Sequence, residues 1–246
     1  MMMQHTLERL NSLRLHGMAA ALEQQMTSMH ANDLSFEERI SFIVDNEFTS
    51  RESKKITRLL QSAKLKENAM LEDVIYKNRS GLDKQYVASL SLCAWIKNHH
   101  NLIITGATGN GKTWLACAFA QQACRNLLSA SYNWTPTLLK ELEVAHLDGS
   151  FRKRMNQLAK MELVIIDDFG IKPIPASAAH DLLEIIDARV NKKSLIITSQ
   201  YPIENWHSLI GDDTIADAIL DRVVHNSHRI KLVGESLRKR KKPLEI

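Results

Sequence analysis

The residues of this chain best suited to chemistry are Gly106-Ala107-Thr108-Gly109-Asn110-Gly111-Lys112-Thr113, which fit G-x-x-x-x-G-K-[ST] without a mismatch. The chemistry that spacing suits is the holding of a polyphosphate. Glycines let a backbone curl until successive N–H groups converge on phosphate oxygens. A helix that starts at the same point adds its partial positive charge. A lysine placed like Lys112 reaches β- and γ-phosphates, and a hydroxyl placed like that of Thr113 ligates Mg²⁺. Leu102-Ile103-Ile104 leads in as a strand and Trp114 to Ala120 leads out as a helix. That strand–loop–helix context predicts a nucleotide site; the plain alternative is a glycine turn before a helix.

A second stretch, Leu163-Val164-Ile165-Ile166-Asp167-Asp168-Phe169-Gly170, reads as a buried strand ending in two carboxylates. Open parallel sheets bind ligands at that end of their strands. Asp167 is the candidate holder of Mg²⁺, directly or through water. Asp168 is the candidate that orients and deprotonates an attacking water. The alternative for Asp168 is a turn residue capping the strand.

The elements that must position these groups follow from periodicity. Strands are expected over 102–105, 131–134, 163–167, 194–198 and 228–232, alternating with helices, which argues for a parallel α/β sheet. Thr135-Pro136 opens a helix with Thr as cap and Pro in the first turn. Asp148-Gly149-Ser150 breaks that helix, and a second one carries Arg152, Lys153 and Arg154. Upstream, residues 1–70 read as all-helical. Leu7, Leu10, Leu13, Leu15, Met18 and Leu22 form one amphipathic helix, with Gly17 a weak point or a tight packing site. Ser35 and Glu38 form a capping box for the next helix, whose apolar face would hold Phe36, Ile40, Ile43, Val44 and Phe48. Residues 71–100 read as a connector with a turn cluster at 78–83 and a helix over 84–98. The expected domains are 1–70, the connector 71–100, a nucleotide domain over 101–237 and a basic tail over 238–246.

Two further polar positions stand out. The fourth strand ends Thr198-Ser199-Gln200, and in P-loop ATPases of the AAA+ kind a polar residue there senses the γ-phosphate. Gln200 is the first candidate and Ser199 the second; strand-end capping is the alternative. Arg222 follows Asp217 and Asp221 on a helix. It is either paired within that helix or an arginine finger for a neighbouring subunit's site, a task suited to a permanently charged fork. Arg238 is either a second phosphate sensor or the start of the tail.

Charge and composition narrow the classes. The 246 residues are 44% hydrophobic and 24% charged, with a net charge of +4. From His225 onward, seven Lys/Arg face only Glu235 and Glu245. Such a tail, with Lys239 and Arg240 at its centre, suits a phosphate backbone or simply solubility. Lys54, Lys55 and Arg58 are a second basic group, DNA-facing or merely solvated. No run approaches the roughly 20 apolar residues of a membrane span. Glu8, Arg9, Arg14 and His16 interrupt the first residues as no signal peptide would be interrupted, so a cytoplasmic protein without membrane contact is expected. Cys93, Cys117 and Cys124 lack metal or disulfide spacing and read as buried thiols.

Taken together these segments resemble the IstB/DnaC-type AAA+ ATPases, and IstB insertion-sequence helpers more closely. Leu13-Arg14-Leu15-His16-Gly17-Met18, Arg79 to Asp83, the P-loop, Ile165 to Gly170, Ile197 to Pro202 and Ile215 to His228 match in order, followed by Gly234 to Arg238. The resemblance implies an AAA+ P-loop fold, with a parallel five-stranded sheet behind a small helical domain. It implies ATP and Mg²⁺ as ligands: Gly106 to Thr113, Trp114 and Arg238 would bind ATP, with Thr113 and Asp167 on the metal. Lys112, Asp168, Gln200 and Arg222 would be catalytic. It implies ATP hydrolysis, slowed where the shorter Asp168 places the water less well, an ATP-dependent oligomer, duplex DNA as a ligand and a DDE-type transposase as partner. Relatives that load helicases on single-stranded DNA supply the alternative function. Two departures are the family's usual sensor Asn, here Gln200, and Asp168 where many AAA+ enzymes carry Glu. By position alone, Arg152, Lys153 and Arg154 become DNA-facing candidates.

Overall fold

The computed structural model describes residues 2–28, 33–76 and 82–234. The chain divides into two compact units, Met1–Arg58 and Leu59–Ile246. Residues 78–81 of the expected turn cluster, and Arg238, Lys239 and Arg240 with the rest of the tail, lie outside the described residues.

The first unit holds α1 (Met2–Ser12), α2 (His16–Thr27) and the start of α3 (Phe36–Ala63). The single helix expected through Leu7 and Leu22 is therefore two. The Leu15 N–H donates to the Leu10 carbonyl at 2.8 Å and the Arg14 N–H to that of Asn11 at 2.9 Å, with Arg14 at φ 59. That doubly bonded, left-handed ending is one usually given to Gly. Apolar spacing alone cannot see it, because the leucines keep their intervals across the turn. Gly17 proves to be a packing site: a Cβ there would lie 2.6 Å from the Asn46 carbonyl oxygen and from Glu47 Cα. The Glu47 carboxylate accepts the N–H groups of Gly17 at 2.7 Å and Met18 at 3.1 Å. It thereby satisfies donors that a helix start leaves open.

The expected capping box opens α3, with Ser35 N–H to Glu38 at 2.8 Å and Glu38 N–H to the Ser35 hydroxyl at 3.2 Å. Of its expected apolar face only Ile43 is buried; Phe36, Ile40, Val44 and Phe48 are exposed. The helix α2 covers the stripe through Arg39 and Glu47, where Gln25 donates to the Arg39 carbonyl at 2.9 Å. Ile43 belongs to that stripe by its spacing of four, and the other four residues lie beside it.

In the second unit the helix expected over 84–98 is also two, α4 (Lys84–Ser91) and α5 (Ala94–Lys97). Cys93 parts them at φ 57, buried, with the Trp95 indole N–H returning to the Leu90 carbonyl at 3.0 Å. The strands are β1 (Asn101–Gly106), β2 (Ala130–Trp134), β3 (Leu163–Asp167), β4 (Ser194–Ser199) and β5 (Ser227–Leu232). They form an all-parallel five-stranded sheet in the order β2-β3-β4-β1-β5. Alternate residues serve opposite faces. Leu102, Ile104, Leu163, Ile165 and Ile196 join a core with Leu115 and Phe119 of α6 (Lys112–Arg125). Ile103, Val164, Ile166, Leu195 and Ile197 join the other core. Its helices are α7 (Thr135–Asp148), α8 (Phe151–Lys160), α9 (Ala176–Asp187) and α10 (Asp213–Val224). Coverage on both faces is what a parallel sheet requires. All three cysteines are buried and free, and burial pushes the Cys93 and Cys124 thiols up to about 11.

The strand order matters most for function. Because β4 lies between β1 and β3, the carboxyl ends of these three strands stand side by side. The two motifs read from the sequence follow β1 and end β3.

Candidate nucleotide site

The loop after β1 is bent by Gly106, Gly109 and Gly111 at φ 151, 87 and 83. Gly106 is also a close approach, since a Cβ there would fall 2.4 Å from the Leu232 carbonyl oxygen of β5. Asn110 adds a tie to the same carbonyl at 3.2 Å. Lys112 starts α6, is 6% exposed, and folds its ammonium across the loop to the Ala107 carbonyl at 3.1 Å. A lysine buried at a glycine-bent loop, on the first turn of a helix, suits phosphate oxygens. Ala107 and Thr108 stand exposed at the rim. Trp114 is half-buried and packs against the cluster of Ala69, Cys117 and Ala118.

The two motifs meet in a hydrogen bond. The Thr113 hydroxyl lies 2.9 and 3.0 Å from the two carboxylate oxygens of Asp167, which is 0% exposed. Asp167 also accepts the Tyr132 hydroxyl at 2.6 Å and the Thr198 hydroxyl at 2.6 Å. A carboxylate so deep in a protein needs such donors. Burial first, and the Asp167 carboxylate second, push the Tyr132 phenol well above its ordinary value, so it stays a neutral donor. Thr113 and Asp167 together form a pair of hard oxygens of the sort Mg²⁺ takes alongside phosphates and waters.

Asp168 follows on a left-handed backbone, φ 58. Its N–H donates to the Thr198 hydroxyl at 2.9 Å, and its carboxylate accepts the Trp134 indole N–H at 3.1 Å. Thr198 thus holds both acids, donating to one and accepting from the other. Thr135, expected to cap α7, instead donates its hydroxyl to the Asp167 carbonyl at 2.7 Å, and Trp134 takes the cap position. Strand β3 ends beside β2, so a side chain on the first turn of α7 reaches that carbonyl more readily than its own helix.

Gln200 faces the loop, its side-chain oxygen accepting from the Thr108 hydroxyl at 2.9 Å. Ser199 does not: it is fully buried and donates to the Phe169 carbonyl at 2.8 Å. Arg222 lies elsewhere. It shares a small groove with His99, Asn101, Arg189 and Asn226 at the amino end of β1, opposite the P-loop. There it pairs with Asp187 and donates to the Ala218 carbonyl at 2.9 Å. Its partner is on α9, whereas the sequence offered Asp217 or Asp221. Arg152 and Lys153 are exposed on α8. Arg154 differs from its two neighbours in being partly buried, and donates to Asn133 at 2.8 Å and Glu141 at 3.0 Å. Lys54, Lys55 and Arg58 are exposed in the first unit.

The family described as IstB-like ATP binding protein matches residues 8–244. The chain belongs to that family. An insertion-sequence ATP-binding protein of Sinorhizobium fredii, y4pL, is 43% identical over 95% of this chain and 96% of its own. The insertion sequence IS1162 ATP-binding protein of Pseudomonas fluorescens is 48% identical over 82% of this chain and 88% of its own. Among solved structures, DnaI matches with TM-score 0.58 at 18% identity, over 72% of this chain and 94% of its own. The DnaC helicase loader matches with TM-score 0.56 at 22% identity, over 70% and 100%. These two show the fold, which is the expected AAA+ P-loop fold.

Three contributors to the site escaped the sequence reading. Tyr132 and Trp134 lie on β2, and Thr198 was seen only as the start of a polar strand end. Their signal was weak but present: polar-tipped residues at the carboxyl ends of strands beside β3.

Proposed function

We propose that this IstB-like protein is an ATP-hydrolysing helper of DNA transposition. It assembles on duplex target DNA when ATP is bound and recruits or stimulates a DDE-type transposase. The observation that carries the reading is the Thr113–Asp167–Thr198–Asp168 chain of hydrogen bonds, which joins the P-loop to both acids. The relatives named for insertion sequences supply the biological setting.

The P-loop amides and Lys112 hold the β- and γ-phosphates. Thr113 and Asp167 would hold Mg²⁺, which supplies charge neutralisation on the phosphates. Asp168 takes a proton from water as the water oxygen bonds to the γ-phosphorus; the bond to the β-bridging oxygen breaks, leaving ADP and phosphate. Gln200 registers the γ-phosphate through its place beside Thr108. Arg222, at the far end of the sheet from its own P-loop, serves the site of a neighbouring subunit. To do so it must exchange Asp187 for the phosphate. ATP therefore favours assembly by binding the assembled state better, and hydrolysis releases it. Arg152 and Lys153 contact the DNA backbone.

The test is Arg222→Ala, followed by light scattering and ATP turnover. The proposal predicts normal ATP binding with lost ATP-dependent assembly and a fall in turnover. Normal assembly and turnover would remove Arg222 from the site.

A further inference from the structure

The Leu13 to Met18 segment has no part in the nucleotide site, yet its geometry is specific. Together with one face of α3 it lines an open groove of about 700 Å³ formed by Leu13, Arg14, His16, Glu47, Arg51, Lys54, Lys55 and Arg58. All eight residues belong to the first unit. Five permanent cations thus surround one carboxylate, and that carboxylate is already committed to the Gly17 and Met18 N–H groups and to Arg51 at 2.6 Å. Among the described residues, Arg14, Lys54, Lys55 and Arg58 have no ion-pair partner. Their charge faces solvent.

The way Arg14 enters the groove is informative. It occupies the left-handed position of the α1 ending, φ 59, where Gly or Asn is easier and a bulky residue is strained. Strain of this sort collects where a side chain is needed in one place. Gly17 then lets α2 sit directly on α3, and Glu47 fixes it there. The result sets Arg14 and His16 against Arg51, Lys54, Lys55 and Arg58, which recur at the three- and four-residue spacings of one helix face.

We infer that this groove is a binding site for the phosphate backbone of duplex DNA, with Arg14 as its fixed cation. The inference rests on the DNA-binding function proposed above and gives that function a site on the helical unit. The chemistry favours backbone over bases. The cations are long, exposed and mixed between Lys and Arg, and among its lining residues the groove offers no Asn or Gln amide to read a base edge. Arg14 and Arg58 each neutralise a phosphate, so each adds about 0.9 to the slope of log affinity against log salt.

The test uses the full chain and a fluorescent 30-base-pair duplex, with ATP and Mg²⁺, across a salt series. The double variant Arg14→Asn/Arg58→Gln keeps a side chain that tolerates the left-handed turn while removing two charges. Its slope should fall by about 1.8, with ATP turnover in the absence of DNA unchanged. A second double variant, Lys160→Gln/Lys192→Gln, removes two exposed charges from the other unit and should keep the wild-type slope. If the wild-type chain fails to bind duplex at all, the proposed function fails. If it binds and the Arg14/Arg58 variant matches it in affinity and slope, only the groove assignment fails, and the groove passes to an acidic protein surface. An equal loss in both double variants also overturns it, because the effect would then be one of overall charge.

Discussion

Replacing Tyr132 by Phe isolates one bond of the hub around Asp167. The phenol donates at 2.6 Å to a carboxylate that is 0% exposed and that also accepts from the Thr113 and Thr198 hydroxyls. The ring stays, so little packing is lost. A hydrogen bond to a charged group contributes about 1.5–3 kcal/mol, and its loss from a buried site is not refilled by solvent. For a unit of this size each kcal/mol lowers the melting temperature by about 2–4 °C, so a fall of about 3–12 °C is expected. Equilibrium urea unfolding without nucleotide measures the free energy, and calorimetry the melting temperature. Thr198→Val should cost more than Tyr132→Phe, because it removes the donor to Asp167 and the acceptor for the Asp168 N–H together. The double variant should then cost less or more than the sum, since neighbours in one network do not add. A Tyr132→Phe loss below about 0.5 kcal/mol, the level of an ordinary surface substitution, would refute the claim that this hydroxyl helps hold the buried carboxylate.

Three other outcomes follow from particular contacts. Trp134→Phe frees Asp168 from its indole donor, and steady-state ATP turnover should rise by up to about tenfold, the equivalent of roughly 1.4 kcal/mol of ground-state restraint; a fall would show that the indole positions the base productively. Gly17→Ala drives a Cβ into Asn46 and Glu47, and should destabilise the first unit by about 1–3 kcal/mol in thermal melts followed by circular dichroism. ATP binding should survive that substitution, and its loss would contradict the assignment of the site to the second unit. His228 is held below its ordinary 6.5, first by burial and then by His100, with the Tyr86 hydroxyl 3.1 Å from its ring nitrogen. The folded state therefore binds the proton less tightly than the unfolded one, and stability drops as pH falls below about 6.5. His228→Gln should flatten that part of the stability–pH curve; an unchanged slope would assign the loss to other groups.

The parts of the site legible in the sequence were those with fixed local spacing. The P-loop, the Asp167-Asp168 pair and the strand pattern all sit within short windows, where periodicity and glycine placement speak directly. Left-handed residues other than glycine were invisible. Arg14, Cys93 and Asp168 each turn the chain without a glycine, and the first two split helices that apolar spacing alone would run together. Long-range donors were equally hidden. Tyr132 reaches Asp167 only because β2 lies beside β3 in register, Ser131 opposite Val164 and Trp134 opposite Asp167. The sequence ranked Gln200 before Ser199, but only the side-chain directions at the end of β4 show Gln200 at Thr108 and Ser199 buried against the Phe169 carbonyl. Charge counting could not show that the Arg154 guanidinium ties α8 to Asn133 and Glu141.

The most direct test of the account is binding to duplex and single-stranded DNA with ATP, with ADP and without nucleotide, across a salt series. The account predicts cooperative, steeply salt-dependent binding to duplex that requires ATP and is lost in Lys112→Ala. Equal duplex binding in all nucleotide states, or a preference for single strands, would contradict an ATP-assembled helper on duplex target DNA.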